Sequence, residues 1–313
     1  MSAVDPAGFP SEPSQPVVAP DDARRTRRLA IALMCGGLLM FALLDAVAKY
    51  LGQVHDPVQI AWVRYASHLL IAVVIVNPLT MPGSWRSGRP MLQFLRSVLL
   101  AGTTTLNFMA LQELRMDETM SIVFATPLLV AIFAGPLLGE WVGPRRLAAI
   151  MVGFIGVLLV TRPGVGEWKI AYLYAFANAV CYAFYNILTR MVGARDSVWT
   201  SFFYMPMFGM ALLAPALPSV WVWPGSTFDW GLLLFTGVLG GSGHLMLIIA
   251  HKRAPAGVLA PYIFSQIIWM IALGWTIFGD TPDLWTLSGT AVVISSGLYL
   301  FARERTVKSA TDM

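Results

Sequence analysis

Charge is scarce in these 313 residues: 12% are Asp, Glu, Lys or Arg, against roughly 25% in an ordinary globular domain. With 57% hydrophobic residues, the chain cannot clothe a water-soluble surface. Cysteine is almost missing, and Cys35 and Cys181 both lie inside apolar runs. That excludes a disulfide framework and a thiolate metal site. Catalytic signatures are missing too. There is no His-Glu-x-x-His helix, no phosphate loop of the Gly-x4-Gly-Lys-Ser kind and no Gly-x-Ser-x-Gly elbow. The glycines at 240–243 sit within an apolar run and lack the following lysine. No break between apolar runs exceeds about fifteen residues, so a soluble catalytic domain has no room. No cofactor or metal is expected. A net charge of +4 does not signal nucleic acid, because the basic residues flank apolar runs, where they orient membrane helices.

What is present is ten apolar runs, and a hydrocarbon core needs about 20 such residues per helix. The runs are 29–51, 58–79, 91–111, 117–138, 145–161, 169–191, 198–217, 229–250, 256–278 and 285–302. Residues 1–28 hold five prolines and few large apolar side chains, a composition expected to form a disordered tail. The tail ends in Arg24, Arg25, Arg27 and Arg28, and the run from Leu29 is too long for a signal peptide. Residues 303–313 form a second tail. Counted on ten spans, fifteen Lys and Arg fall on the side of the tails and three, Arg115, Arg162 and Lys169, on the other. That asymmetry predicts a multi-pass bacterial inner-membrane protein with both termini cytoplasmic. Nine of the eleven tryptophans lie at or near span ends, where an amphipathic ring prefers to sit.

The runs also repeat. A shift of 140 places Ala110 on Ala250, Phe124 on Phe264, Gly139 on Gly279 and Glu140 on Asp280. The predicted fold is an all-α membrane protein of ten transmembrane helices, built as two five-helix units at 29–161 and 167–302. Five is odd, so the second unit enters the bilayer from the opposite face. Inverted repeats of this kind recur in transporters, with substrate held where the halves meet. Small-residue clusters match across the units, Ala101 to Thr105 and Gly240 to Gly243. They suit close backbone approach or a hinge.

The stretch from Leu95 to Pro163 resembles the first EamA-type repeat of the drug/metabolite transporter superfamily. The likeness rests on the arginine opening the third span, Pro127 within the fourth, the Gly-Glu turn and the terminal Arg-Pro. The stretch from Ala256 to Leu300, with its Phe-Gly-Asp-x-Pro and Ser-Gly-Leu-Tyr, is similar to the second repeat. The resemblance covers roughly residues 29–305. It implies ten helices around a cavity lined by the first, third, fourth, sixth, eighth and ninth. Relatives of this kind are assigned to amino-acid export, S-adenosylmethionine uptake or riboflavin uptake, so the resemblance implies a small-molecule substrate without naming it. Asp280 in place of a second Glu at the turn carries over the turn alone.

Ionisable groups inside spans are functional candidates because their burial is costly. Asp45 and Lys49 are four apart on one face of the first helix, and Arg64 and His68 have the same spacing on the second. Asp45, Lys49 and Arg64 are expected either to neutralise one another, with Lys49 reaching for the interface, or to form a gate. The sixth span carries a polar and aromatic stripe, Asn178, Tyr182, Tyr185, Asn186 and Thr189. The ninth carries Tyr262, Ser265, Gln266 and Trp269. Each stripe either bonds a neighbouring helix or lines the substrate site; the cavity helices named by the resemblance favour the second. Amides and rings suit a flat or cationic organic solute. His68 and His244 are packing residues or a proton relay. Arg96 and Glu118, near span ends, are read as interface groups. The expected function is a secondary carrier of a small organic metabolite working by alternating access. An intramembrane enzyme and a structural subunit are the other classes, and the first would need a nucleophile–base pair at depth that the sequence does not offer.

Overall fold

The computed structural model of the chain describes residues 20–77, 81, 85–139, 141, 143–162, 169–193 and 196–311. Among them all regular structure is helical, as expected where hydrocarbon offers the backbone no partners. The first half holds α1 (Pro20–Leu51), α2 (Pro57–Ile75), α3 (Pro90–Glu113), α4 (Met116–Val123), α5 (Thr126–Leu138) and α6 (Pro144–Thr161). The second holds α7 (Ala171–Gly193), α8 (Val198–Leu213), α9 (Leu217–Val220), α10 (Thr227–Arg253), α11 (Ala256–Leu259), α12 (Gln266–Phe278) and α13 (Leu284–Thr311). Proline opens α2, α3 and α6, where its missing N–H costs nothing.

The stretch expected to be disordered through residue 28 is helical from Pro20, and α13 continues past 302 to Thr311. Once an apolar helix is nucleated, adding polar residues to its end is cheap. Among the described residues nine helices, counting α4 with α5, are long and apolar enough to cross a membrane. The tenth expected span, α7, is long enough at 23 residues. Its four tyrosines and two asparagines lower its hydropathy, which is why it falls outside the nine.

The fourth span is broken after Val123. Pro127 has no N–H to give, and Ala125 turns back on Ile122 O at 2.9 Å rather than one residue further. The ninth span is broken in a similar way, by a 3-10 stretch at Ala260–Ser265 that contains Pro261. The two breaks touch: the rings of Phe124 and Phe264 meet edge to face with centroids 5.0 Å apart. Both α5 and α12 end on a left-handed glycine, Gly139 at φ 75° and Gly279 at φ 72°, the usual helix stop.

The helix contacts come in exchanged pairs. α1 packs on α10, and α7 packs on α3; the shift of 140 turns each pair into the other. α2 on α10 is matched by α8 on α3, and α1 on α12 by α7 on α5. α6 packs on its own counterpart, α13. There Ser296 Oγ donates to Ala149 O at 2.5 Å, while Gly289 lies against the carbonyl of Gly156 so closely that a Cβ would stand 2.5 Å away. Those two contacts are again related by the shift.

Candidate functional site

A cavity of about 130 Å³ lies among α1, α2, α3, α4, α7, α10 and α12. Its polar wall begins on α1. Asp45 faces inwards, and its Oδ1 accepts from Asn107 Nδ2 of α3 at 2.8 Å. Asn107 Oδ1 accepts in turn from Asn178 Nδ2 of α7 at 3.1 Å, so a three-residue chain crosses from the first half to the second. Arg64 of α2 is buried and gives Nη1 to Thr104 Oγ1 at 2.8 Å. Thr104 also meets the Tyr65 hydroxyl at 2.7 Å. The guanidinium fits because position 240 is glycine; a Cβ there would fall 2.9 Å from Arg64 Nε. Gly241 makes the same room for His68 and Gly243 for Phe41. Of the two readings of this small-residue cluster, close approach is the one visible here, and what approaches is mainly side chain.

Seven of the residues singled out on sequence lie on or beside the cavity. Asp45, Arg64, Asn178, Tyr182, His244 and Gln266 line it. His68 lies one layer behind, its ring stacked on that of His244 with centroids 6.1 Å apart and planes 12° apart. His68 is fully buried, and neither ring nitrogen has a hydrogen-bond partner.

The others go elsewhere. Lys49 does not join Asp45 or Arg64; it donates to Leu114 O at 2.6 Å and faces Asp280 at 3.7 Å. Neither Asp45 nor Arg64 enters an ion pair among the described residues, so no direct contact joins the three. The reason is α3, whose amide and hydroxyl hold the two cavity charges separately. Tyr185 is off the cavity wall, beneath the Arg96 guanidinium at 5.6 Å. Asn186 turns back to the Tyr182 carbonyl of its own helix at 2.8 Å. Tyr262 packs on a patch containing Ala30, Met34 and Leu38. Trp269 packs on the main apolar core. Arg96 is buried within the protein and donates to Ser201 O at 2.9 Å. Glu118 accepts from the backbone N–H of Arg115 at 3.1 Å at the start of α4. Glu140 lies outside the described residues, and Asp280 pairs with Lys49.

Sequence reasoning missed Thr103, Thr104 and Asn107, together with Phe41 and Phe108. The signal was present: 103, 104 and 107 sit at helical spacing, the same pattern that marked α7. It was hidden because those threonines also read as small residues for close packing.

Around this core, polar ties join the halves at both ends of the bundle. At one end Arg115 bonds Asp117 and Thr286, and Arg162 pairs with Asp283. Burial pushes the Asp283 carboxyl up, but bonds from Thr286 and the Arg162 charge outweigh it and hold the group below its ordinary range. At the other end Asp196 accepts from Ser87 Oγ at 2.5 Å, Gly88 N at 2.7 Å and Gln93 Nε2 at 2.8 Å. Burial raises that carboxyl too; the three bonds and the charge of Arg96 outweigh it, and the net shift is downward.

The model of the EamA-like transporter family matches this chain twice, at residues 28–162 and 169–302. An S-adenosylmethionine uptake transporter of Rickettsia bellii is 25% identical over 294 residues, covering 92% of this chain and 99% of the relative. A riboflavin transporter of Vibrio cholerae is 26% identical over 281 residues, covering 87% and 92%. A pseudopaline exporter of Pseudomonas aeruginosa is 23% identical over 255 residues, covering 81% and 89%. A solved crystal structure superposes with a TM-score of 0.61 at 21% identity, over 88% of this chain and 99% of that one, a likeness of fold.

Proposed function

The chain belongs to the EamA-like transporter family, and from that premise we propose that it is a secondary carrier moving a small organic metabolite across the bacterial inner membrane by alternating access. The observation that carries the reading is the cavity. Its lining mixes polar and apolar side chains, and it takes Asp45, Arg64 and Asn107 from the first half and Asn178, Tyr182, His244 and Gln266 from the second. Such concave sites with a few convergent polar groups are where small ligands bind.

The two halves are five-helix inverted repeats in this proposal, ten helices in all, with both termini in the cytoplasm. Two features favour that arrangement. The helix contacts exchange under the shift of 140, as they do across a two-fold axis, and basic residues gather on the side of the tails. The contacts also divide the helices into two groups that cut across the repeats. α1, α2, α3, α7, α8 and α10 pack mainly on one another; α4, α6 and α13 form the second group, which α12 joins through α4 while also packing on α1, and α5 packs mainly on α7. The cavity lies on the boundary, with Met120, Val123 and Gln266 coming from the second group. Alternating access is then a rocking of one group against the other. Lys49 and Asp280, with Arg115 and Thr286, tie the two groups and halves together on the periplasmic side. They are the gate of this proposal, in place of Asp45 and Arg64.

Counterflow in proteoliposomes against a metabolite panel, at two pH values, tests it. Exchange of at least one compound, lost in Asn178→Ala and Gln266→Ala variants that still fold, is the expected result. Undiminished exchange in both would remove the cavity from the mechanism.

A further inference from the structure

The two ends of α1 carry charge under different terms. Among the described residues the ion pairs, Lys49 with Asp280, Arg115 with Asp117 and Glu118, and Arg162 with Asp283, all lie at the end of the bundle opposite the tails. Arg24, about 37 Å from Lys49 by helical rise, opens a run with Arg25, Arg27 and Arg28. All four are exposed, and none is in an ion pair among the described residues. Asp21 and Asp22 precede them in the chain, so residues 20–28 carry four positive charges against two negative. α10 packs along α1 and ends in Lys252 and Arg253, which are also exposed. The two basic ends are set together. Ala30 of α1 is buried in one cluster with Ala250 and Ala254 of α10, so Arg27 and Arg28 stand within a turn of that contact on one helix, and Lys252 and Arg253 on the other. Lys252 Nζ also lies over the Trp199 ring of α8, 5.2 Å from its centroid.

We infer that these two helix ends form one binding surface for anionic phospholipid headgroups of the phosphatidylglycerol kind. Arg24 to Arg28 lie about 1.5–7.5 Å of helical rise before Leu29, where the apolar run begins, and that is the depth of the headgroup layer. A phosphodiester there meets guanidinium forks that match its geometry. Trp199 is the kind of ring that sits at the same level. Each basic residue beside a membrane strengthens the hold on anionic lipid about fivefold. A soluble anion meets the same charges but has no acyl chain to lay beside the apolar run, whose first residue, Leu29, is exposed. The lipid thus supplies at the tail end of α1 the counter-charge that Asp280 supplies to Lys49 at the other. No transport step enters this inference, and it stands apart from the carrier reading.

The full chain in an uncharged detergent is titrated with phosphatidylglycerol and, separately, with phosphatidylcholine. Native mass spectrometry counts the lipid retained, and thermal unfolding is followed in parallel. Phosphatidylglycerol should bind at least about tenfold more tightly and raise the unfolding midpoint, with the difference shrinking as salt is added. Arg27→Gln with Arg28→Gln should lower that affinity at least about tenfold, and so should Lys252→Gln with Arg253→Gln. Arg24 and Arg25 are kept so that the first helix retains basic residues to orient it. Arg145→Gln with Arg146→Gln, on α6 and outside the α1–α10 contact, should lower it less than about threefold, a smaller loss than one charge at the surface would give. Glycerol 3-phosphate, the same headgroup chemistry without acyl chains, should not displace the lipid. Equal binding of the two lipids by the parent chain would overturn the inference. So would undiminished affinity in either double variant of α1 or α10, or an equal loss in the α6 variant. Displacement by glycerol 3-phosphate would give the surface to a soluble anion and overturn the lipid assignment. Where one of the two double variants fails to fold, the other settles the matter, since both ends are required.

Discussion

Replacing Asn107 by alanine separates the cavity's polar chain at its middle. The amide gives one bond to a carboxylate, Asp45, at 2.8 Å and takes one from a neutral amide, Asn178, at 3.1 Å. Interhelical hydrogen bonds between polar side chains in membranes contribute about 0.6 kcal/mol on average and up to about 1.7. A bond to a charged group contributes about 1.5–3 kcal/mol. Asn107→Ala therefore costs about 2–4 kcal/mol, most of it from leaving Asp45 Oδ1 bare at depth. Asn178→Ala removes only the neutral bond and costs about 1 kcal/mol. The order, Asn107 well above Asn178, is the substance of the prediction. Thermal unfolding in detergent gives the stability difference. The cycle of Asp45→Asn and Asn107→Ala, singly and together, isolates the pair, with an expected coupling of about 1.5–3 kcal/mol. Equal costs for the two asparagines, or additive single effects, would refute the idea that Asn107 holds Asp45 in place. Counterflow on the same variants separates holding from mere folding. Asn107→Ala should slow exchange at least about tenfold at temperatures where it is still folded, since about 1.4 kcal/mol is a factor of ten.

Three further outcomes follow from the packing and the ties between the halves. Gly156→Val places a side chain against the Gly289 carbonyl, 2.7 Å from where its Cβ must stand. The backbone cannot yield as a side chain could, so thermal unfolding should show a loss of about 1–3 kcal/mol or more; an unchanged midpoint would argue against the α6–α13 crossing. Lys49→Gln or Asp280→Asn alone should disturb transport and stability more than the double substitution does, because a lone partly buried charge is the expensive state. A double variant worse than either single one would remove the gate assignment. Asp196 has a depressed carboxyl, so its contribution is complete above the ordinary carboxylate range near 4. It is lost as pH falls below that range through the folded value. Stability measured from pH 6 down to pH 2 should therefore fall less steeply in Asp196→Asn than in the parent, and parallel curves would show that the Ser87, Gly88 and Gln93 bonds do not bind the two halves.

Much of the architecture was legible in residues alone, because a bilayer imposes a length and a polarity on every helix that crosses it. Runs of apolar residues, a proline in the fourth, glycines at 139 and 279 and the shift of 140 are local or periodic facts. They led to all-helical structure and to two matched units, whereas the breaks in the fourth and ninth spans came only with the folded chain. Helical spacing also marked Asn178, Tyr182 and Gln266 as more than packing. What spacing cannot say is which way along a stripe the cavity ends. Tyr185 and Asn186 lie on the same face as Tyr182, yet one is taken by Arg96 and the other by its own backbone.

Partner choice was settled by tertiary contact. Asp45, Lys49 and Arg64 are close in sequence and opposite in charge, so pairing them is the natural expectation from composition and spacing. The folded chain instead gives Asp45 to Asn107, Arg64 to Thr104 and Lys49 to Leu114 and Asp280, across separations of up to 231 positions (Lys49 to Asp280) that no local pattern encodes. The sequence by itself determined which helices exist, since that depends on the solvent and on neighbours within a few turns. Only the tertiary structure decided which charges meet and which stay unpaired, since that depends on which helix is set opposite which.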